Sequence, residues 1–101
     1  MALKAAYIFV APEVDPDKHR HTIMPPLVEL TTVAVNNYAE AVQVCQKLLE
    51  EGITAFELCG GFGNVGTGLV AAALKSKAAV GVIRFDGHPG LEWKSGDELF
   101  G

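Results

Sequence analysis

Between Leu27 and Phe85 the sequence alternates between the hydrophobic spacing of a strand and that of a helix, which restricts the chain to an α/β fold. Leu27–Val35 is rich in Thr and Val and has strand character. Asn37 then offers a helix cap, with Glu40 three residues on, a close relative of the capping box. Tyr38, Ala41, Val42, Cys45, Leu48 and Leu49 recur at three- and four-residue intervals, so a helix is expected there, and Gly52 supplies its stop. Ile53–Leu58 reads as the next strand. The alanine-rich run from about Val65 to Lys77 reads as a second helix, with Lys75 and Lys77 suiting the negative end of its dipole. Ala79–Phe85 reads as a further strand.

Ahead of these units, Lys4–Ala11 is a continuous apolar run of strand length and suggests a strand covered on both faces. Residues 12–26 hold four of the five prolines together with Asp15, Asp17, Lys18, His19, Arg20 and His21, and read as a long polar loop without regular structure. The tail from Asp86 to Gly101 is turn-rich and leaves room for a short hairpin or a turn of helix. The expected fold is thus a single α/β domain over residues 1–101: a four-stranded, mainly parallel sheet with two helices, in the order β-β-α-β-α-β.

Two successive crossovers have a consequence for the surface. If both step the same way across the sheet, both helices fall on one face and leave the other bare unless a second subunit covers it; a reversal puts one helix on each face. Because the first and last strands look apolar on both sides, a homo-oligomer or such a reversal is expected. In either case the carboxyl ends of the strands gather the loops that bind ligands.

Charge and cysteine content narrow the partners. Eight Lys and Arg against twelve Asp and Glu give a net charge of −4, which argues against a nucleic-acid footprint and against an anionic membrane surface. Two cysteines, Cys45 and Cys59, form no C-x-x-C pair, which fits a reduced, cytoplasmic chain. The apolar start lacks a basic region ahead of it and stops at Pro12, unlike a signal peptide, and no run approaches the ~20 apolar residues of a membrane span.

The loop from Gly60 to Gly68 holds five of the eleven glycines. Within it, Gly61-Phe62-Gly63-Asn64-Val65-Gly66 fits G-x-G-x-x-G between an expected strand and an expected helix, and Asp86 lies twenty residues past Gly66. Glycines admit a close backbone approach, and the free N–H groups and dipole of the helix favour an anion. A dinucleotide needs a second half-site that 101 residues scarcely provide, and Phe62 is bulky for a pyrophosphate loop. A smaller anion at the helix start and a merely structural tight turn both remain open. Gly60, Gly61, Gly63, Asn64, Gly66 and Thr67 are the candidate ligand-binding residues, with His19 and Arg20 of the polar loop adding positive potential above them.

Other polar residues interrupt apolar strands. Glu57 and Arg84 each fall late in a strand, on faces that would let them form an ion pair at the carboxyl edge, as a salt bridge or as proton acceptor and anion clamp. Cys59 sits at the strand-to-loop junction, as a small buried residue or a thiol activated by the helix start. Asp86 and His88 complete the catalytic candidates, with Glu57, Cys59 and Arg84. The histidines match no recognised zinc spacing, so no metal is assigned.

The stretches Glu57-Leu58-Cys59-Gly60-Gly61-Phe62-Gly63 and Arg84-Phe85-Asp86-Gly87-His88-Pro89-Gly90, with Ala6-Tyr7-Ile8-Phe9-Val10-Ala11-Pro12 and His19-Arg20, resemble a family of small bacterial proteins known only as a domain of unknown function. The likeness spans nearly the whole chain and implies no activity. Residues 52–68 are also similar, locally, to a strand-loop unit of phosphate-binding (β/α)8 barrels. The expected function is the binding of a small anionic metabolite at the carboxyl edge. The rival is a non-catalytic oligomeric or partner-binding module with a structural glycine loop. The sequence assigns no cofactor and no reaction.

Overall fold

The computed structural model describes residues 2–101. Its strands are β1 (Leu3–Val10), β2 (Arg20–Ile23), β3 (Val28–Val35), β4 (Ala55–Leu58) and β5 (Ala79–Val82). The helices are α1 (Tyr38–Glu50), α2 (Asn64–Leu74) and α3 (Gly96–Phe100), with a 3-10 turn at Pro89–Leu91 before α3. One sheet takes the strands in the order β2-β3-β1-β4-β5; every pairing is parallel except that of β2 with β3.

The expected α/β architecture and mainly parallel sheet are present, with five strands instead of four. The additional strand lies inside the segment read as an irregular loop. Arg20–Ile23 contains only one strongly apolar residue, Ile23, so it carries no strand-like alternation. As an edge strand it needs only backbone bonds to β3 and the Thr22–Thr31 hydroxyl contact of 3.0 Å. The tail also folds further than its composition suggests. Ser95 and Glu98 form a capping box, each side chain meeting the other's backbone N–H, and this starts α3.

Local chemistry explains the longer helix. The Asn37 side chain accepts the Glu40 N–H at 2.8 Å. The Glu40 carboxylate turns instead to the backbone and side-chain N–H groups of Asn36, both at 2.8 Å, tying the end of β3 to the first turn. Gly52, at φ +97°, takes the left-handed conformation that ends the helix. Helix α2 ends earlier than expected, at Leu74, and Lys75 itself takes the left-handed cap position.

The two crossovers, β3-α1-β4 over β1 and β4-α2-β5, step the same way across the sheet. Helices α1 and α2 therefore lie side by side on one face. Ala6, Ile8, Val10, Val33, Val35, Phe56 and Leu58 point up into them and meet Tyr38, Ala41, Cys45, Leu48, Val70 and Leu74 in one buried cluster. Burial pushes the Cys45 thiol up to about 12, so it acts as a small apolar side chain. Among the described residues no helix lies on the opposite face, and there β1 is not covered on both sides as its apolar run suggests: Leu3 and Phe9 are 49% and 36% exposed. Strand β5 is an edge strand that ends at Val82, so Ile83–Phe85 lie beyond the sheet.

Leu48, in the last turn of α1, belongs to the buried cluster and is 1% exposed. Leu48→Ala removes its packing there and leaves a cavity, so a loss of roughly 2–5 kcal/mol is expected, read from the urea midpoint at constant slope.

Candidate functional site

The loop after β4 is built around a thiol and a phenol. Cys59 Sγ accepts the N–H groups of Gly61 at 3.2 Å and Val10 at 3.4 Å, which folds the loop back on the end of β1. Phe62 is buried and stacks on the Tyr38 ring at 5.4 Å between centroids. The Tyr38 hydroxyl accepts the Gly63 N–H at 3.1 Å and lies 3.0 Å from Asp97 Oδ1 and 3.2 Å from the Gly61 carbonyl. Gly66 is where the first turn of α2 crosses Tyr38, and a Cβ there would run into the ring.

Helix α2 begins at Asn64 with Gly63 as its cap residue, so no side chain of its own first turn meets its free N–H groups. Asp97 of α3 does so. One carboxylate oxygen accepts from Val65 N–H at 3.0 Å, the other from Gly66 N–H at 3.2 Å, and the Asn64 N–H also points to the group. Gly96 brings Asp97 this close, because a Cβ on it would overlap the Gly61 carbonyl oxygen. Partial burial pushes the Asp97 carboxyl up, but the three amides and the Tyr38 hydroxyl outweigh it and hold the group below its ordinary value. The same contacts act oppositely on Tyr38: burial and the Asp97 charge push the phenol up to about 12, against the lowering effect of the Gly63 N–H.

Beside this seat lies a cleft of about 210 Å³, whose walls include Phe62, Thr67, Val82, Arg84, Asp86 and Ser95. Arg84 is its cation. Its Nη2 and Nε donate to Asp86 Oδ1 at 2.8 and 3.1 Å, and Nη1 reaches Asn64 Oδ1 at 3.4 Å. The Arg84 and Asp86 side chains are 66% and 85% exposed, so this pair contributes little to stability.

The structure brings some of the expected residues together. Gly63, Asn64, Thr67, Arg84 and Asp86 line the cleft, and Gly60 is near it, packed under Phe85 and His88. His88 stacks on Phe85 at 4.4 Å, and its Nδ1 accepts the Gly90 N–H at 2.9 Å. Gly61, Gly63 and Gly66 direct their N–H groups to Cys59, Tyr38 and Asp97, so the cradle expected for an external anion holds a carboxylate of the chain itself.

Other expectations are corrected. Glu57 does not pair with Arg84: it lies opposite Gly81 on β5, on the helix-free face, whereas Arg84 lies past the end of β5. Arg20 belongs to β2, three strands from β4, and its guanidinium bonds the Glu51 carboxylate at 2.7 Å, so it adds no potential above the glycine loop. That bond raises the Arg20 value and, reciprocally, lowers that of Glu51. His19 closes a turn with Asp15, whose N–H it accepts at 2.9 Å. On the helix-free face, burial and the nearby Cys59 and Glu57 push the Tyr7 hydroxyl up. Among the described residues, no group of three or more His, Cys, Asp or Glu is placed to hold a metal ion, and no helix is long and apolar enough to cross a membrane.

Asp97 and the Tyr38 hydroxyl are the functional groups that sequence reasoning missed. Tyr38 reads as one more apolar position of α1. The available signal for Asp97 is Ser95-x-x-Glu98, a capping pattern that would have placed a helix start, and an acid, in the tail.

Because the Asp97 value is lowered in the folded chain, its contribution to stability is present above the ordinary aspartate value of about 3.9 and is lost as pH falls through the folded value. Asp97→Asn is expected to lose roughly 1–3 kcal/mol at pH 7. It should also flatten the fall in urea midpoint as pH drops below about 5, leaving the slope due to Glu51. An unchanged pH profile in the variant would remove Asp97 from this role.

Comparison with curated proteins and with solved structures gives no match. A family described as "Family of unknown function (DUF6506)" matches residues 3–98, from the first residue of β1 to the middle of α3. The match takes in the sheet, the glycine loop, Tyr38, Arg84 and Asp97 alike, and the chain therefore belongs to this family of unknown function.

Proposed function

We propose that the chain binds a small metabolite bearing one carboxylate or phosphate in the cleft beside the start of α2, with Arg84 as the counter-charge. The observation that carries this reading is the state of Arg84. Its guanidinium lines the cleft and is held by Asp86 in an exposed pair. A ligand anion that replaces Asp86 loses little, since such a pair is worth about 0–1 kcal/mol. The surroundings suit a small amphipathic molecule: Val82 and Phe85 offer apolar contact, and Asn64, Thr67 and Ser95 offer polar groups. A volume of about 210 Å³ limits the ligand to a metabolite well below dinucleotide size.

Relative to the sequence expectation, the anion moves from the loop amides to Arg84, and the glycines serve to shape the cleft wall. No acid–base pair is assigned. Glu57 faces away from the cleft, and His88 is engaged with Phe85 and Gly90. The two free cysteines, Cys45 and Cys59, are consistent with a reducing, cytoplasmic setting.

The seating of Asp97 supports a second reading. With the amides at the start of α2 satisfied internally, the glycine loop is a tight strand-to-helix connection, and the chain acts through its outer surfaces alone. Thermal melting separates the two. Inorganic phosphate, malonate and glycerol phosphate, each titrated into the millimolar range, are the probes. At ten times Kd a ligand adds about 1.4 kcal/mol, which for a domain of this size is roughly 6–11 °C in Tm. Ligand binding predicts such a shift with at least one probe, its loss in Arg84→Ala and its increase in Asp86→Ala. No shift with any probe, or a shift that Arg84→Ala leaves intact, favours the second reading.

A further inference from the structure

The sheet face without helices has an ordered pattern of its own. Strand pairing lines up its side chains in transverse rows. One row is apolar: Ile23, Leu30, Ala5, Ala55 and Ala79. The next is polar: His21, Thr32, Tyr7, Glu57 and Gly81. Beyond it, Phe9 lies beside Ala34 and stacks on Tyr7 at 6.5 Å between centroids. Leu3, Phe9 and Ile23 are 49%, 36% and 52% exposed. A parallel sheet is ordinarily covered on both faces, and an apolar face of this kind marks an interface.

We propose that this face is the interface of a homodimer, in which two copies stack sheet on sheet about a two-fold axis that runs along the strands. Three features favour a second copy as the occupant. The first is area. Five strands at ~4.8 Å spacing, two of them eight residues long at ~3.3 Å per residue, present a surface on the order of 500 Å² per copy. Two such surfaces bury on the order of 1,000 Å², which reaches the lower limit of a specific interface.

The second is shape. Ala5, Ala34 and Ala55 on the three central strands and Gly81 on the edge strand β5 are small positions set among the larger Leu30, Tyr7, Phe9 and Glu57, so side chains of one sheet can enter the gaps of another at the ~10 Å of a stacked pair.

The third is charge. A two-fold axis along β1, the central strand, lays the β2 side of one sheet over the β5 side of the other. His21 of one copy then stands over Gly81 of the second, where the missing side chain leaves open space. That position is one strand, ~4.8 Å, from Glu57 of the second copy. The axis repeats the same arrangement with the roles exchanged, so both carboxylates on the face gain an imidazole partner. Tyr7 of each copy lies at the axis.

Sedimentation velocity of the full chain at 1–50 μM tests the interface. The expected mass is twice that of the chain. Phe9→Lys, on the exposed face, should shift the midpoint of dimerisation by at least ten-fold, whereas Leu69→Lys on α2, which faces away, should leave it unchanged. The register is tested by charge exchange: Glu57→Lys should weaken the dimer, and Glu57→Lys combined with His21→Glu should restore it. A monomer at 50 μM overturns the proposal and assigns the face to a different partner. A dimer that survives Phe9→Lys also overturns it, as does a dimer that Glu57→Lys weakens but the double variant fails to restore.

Discussion

The carboxyl edge of this domain depends on one interaction, the seating of the Asp97 carboxylate on the first turn of α2. That turn has no acid and no capping side chain, so its N–H groups have no local partner. Asp97 supplies one from 32 residues downstream, and the Tyr38 hydroxyl joins the same group from the start of α1. Three segments distant in sequence therefore meet on one charge: the glycine loop, the entry to α1 and the final helix. The arrangement admits no side chain at Gly63, Gly66 or Gly96, because a Cβ would occupy the space of Asp97, of Tyr38 or of the Gly61 carbonyl. These three glycines are thus accounted for by close packing within the chain.

The second constraint is topological. With β1 at the centre and both crossovers moving to the same side, the buried cluster gathers under α1 and α2, and a mixed set that includes the exposed Leu3, Phe9 and Ile23 is left on the reverse. Among the described residues only α1 and α2 are long enough to span a sheet face, and both lie on one side of it. The polar cluster around Glu57 and Tyr7 and the cleft around Arg84 consequently lie on opposite sides of the sheet, and a ligand at one has no direct contact with the other.

Strong periodicity was readable, and pairing over distance was not. Helix α1 has a cap, a stripe and a stop within one continuous segment, so its bounds follow from local chemistry. The crossovers on either side of β4 follow from the same kind of signal. Strand β2 carries no such signal, since Arg20-His21-Thr22 is polar and its existence depends on the free edge of β3. Strand alternation alone suggested Glu57 with Arg84, yet the register sets Glu57 against Gly81, and β5 ends before Arg84. The glycine-rich segment is shorter as a loop than Gly60–Gly68, because α2 starts at Asn64 and takes in Gly66 and Gly68, and the occupant of its first amides comes from a tail whose path depends on Gly96 fitting against Gly61.

The balance of charge around the cleft decides where an incoming anion can act. Asp97 and Asp86 both approach it, but they are held differently. Asp97 is fixed by amides of the α2 first turn and by a buried phenol, within a helix that has its own capping box. Displacing it would free those donors at once and undock α3. Asp86 is held by Arg84 in a pair exposed to water, two residues apart on the segment after β5. Of the two carboxylates, only Asp86 can leave without disturbing the fold, so the exchange of an internal carboxylate for an external one is confined to Arg84. The G-x-G-x-x-G pattern thus keeps its physical meaning, a close approach of backbone to negative charge, with the charge contributed by the chain's own last helix.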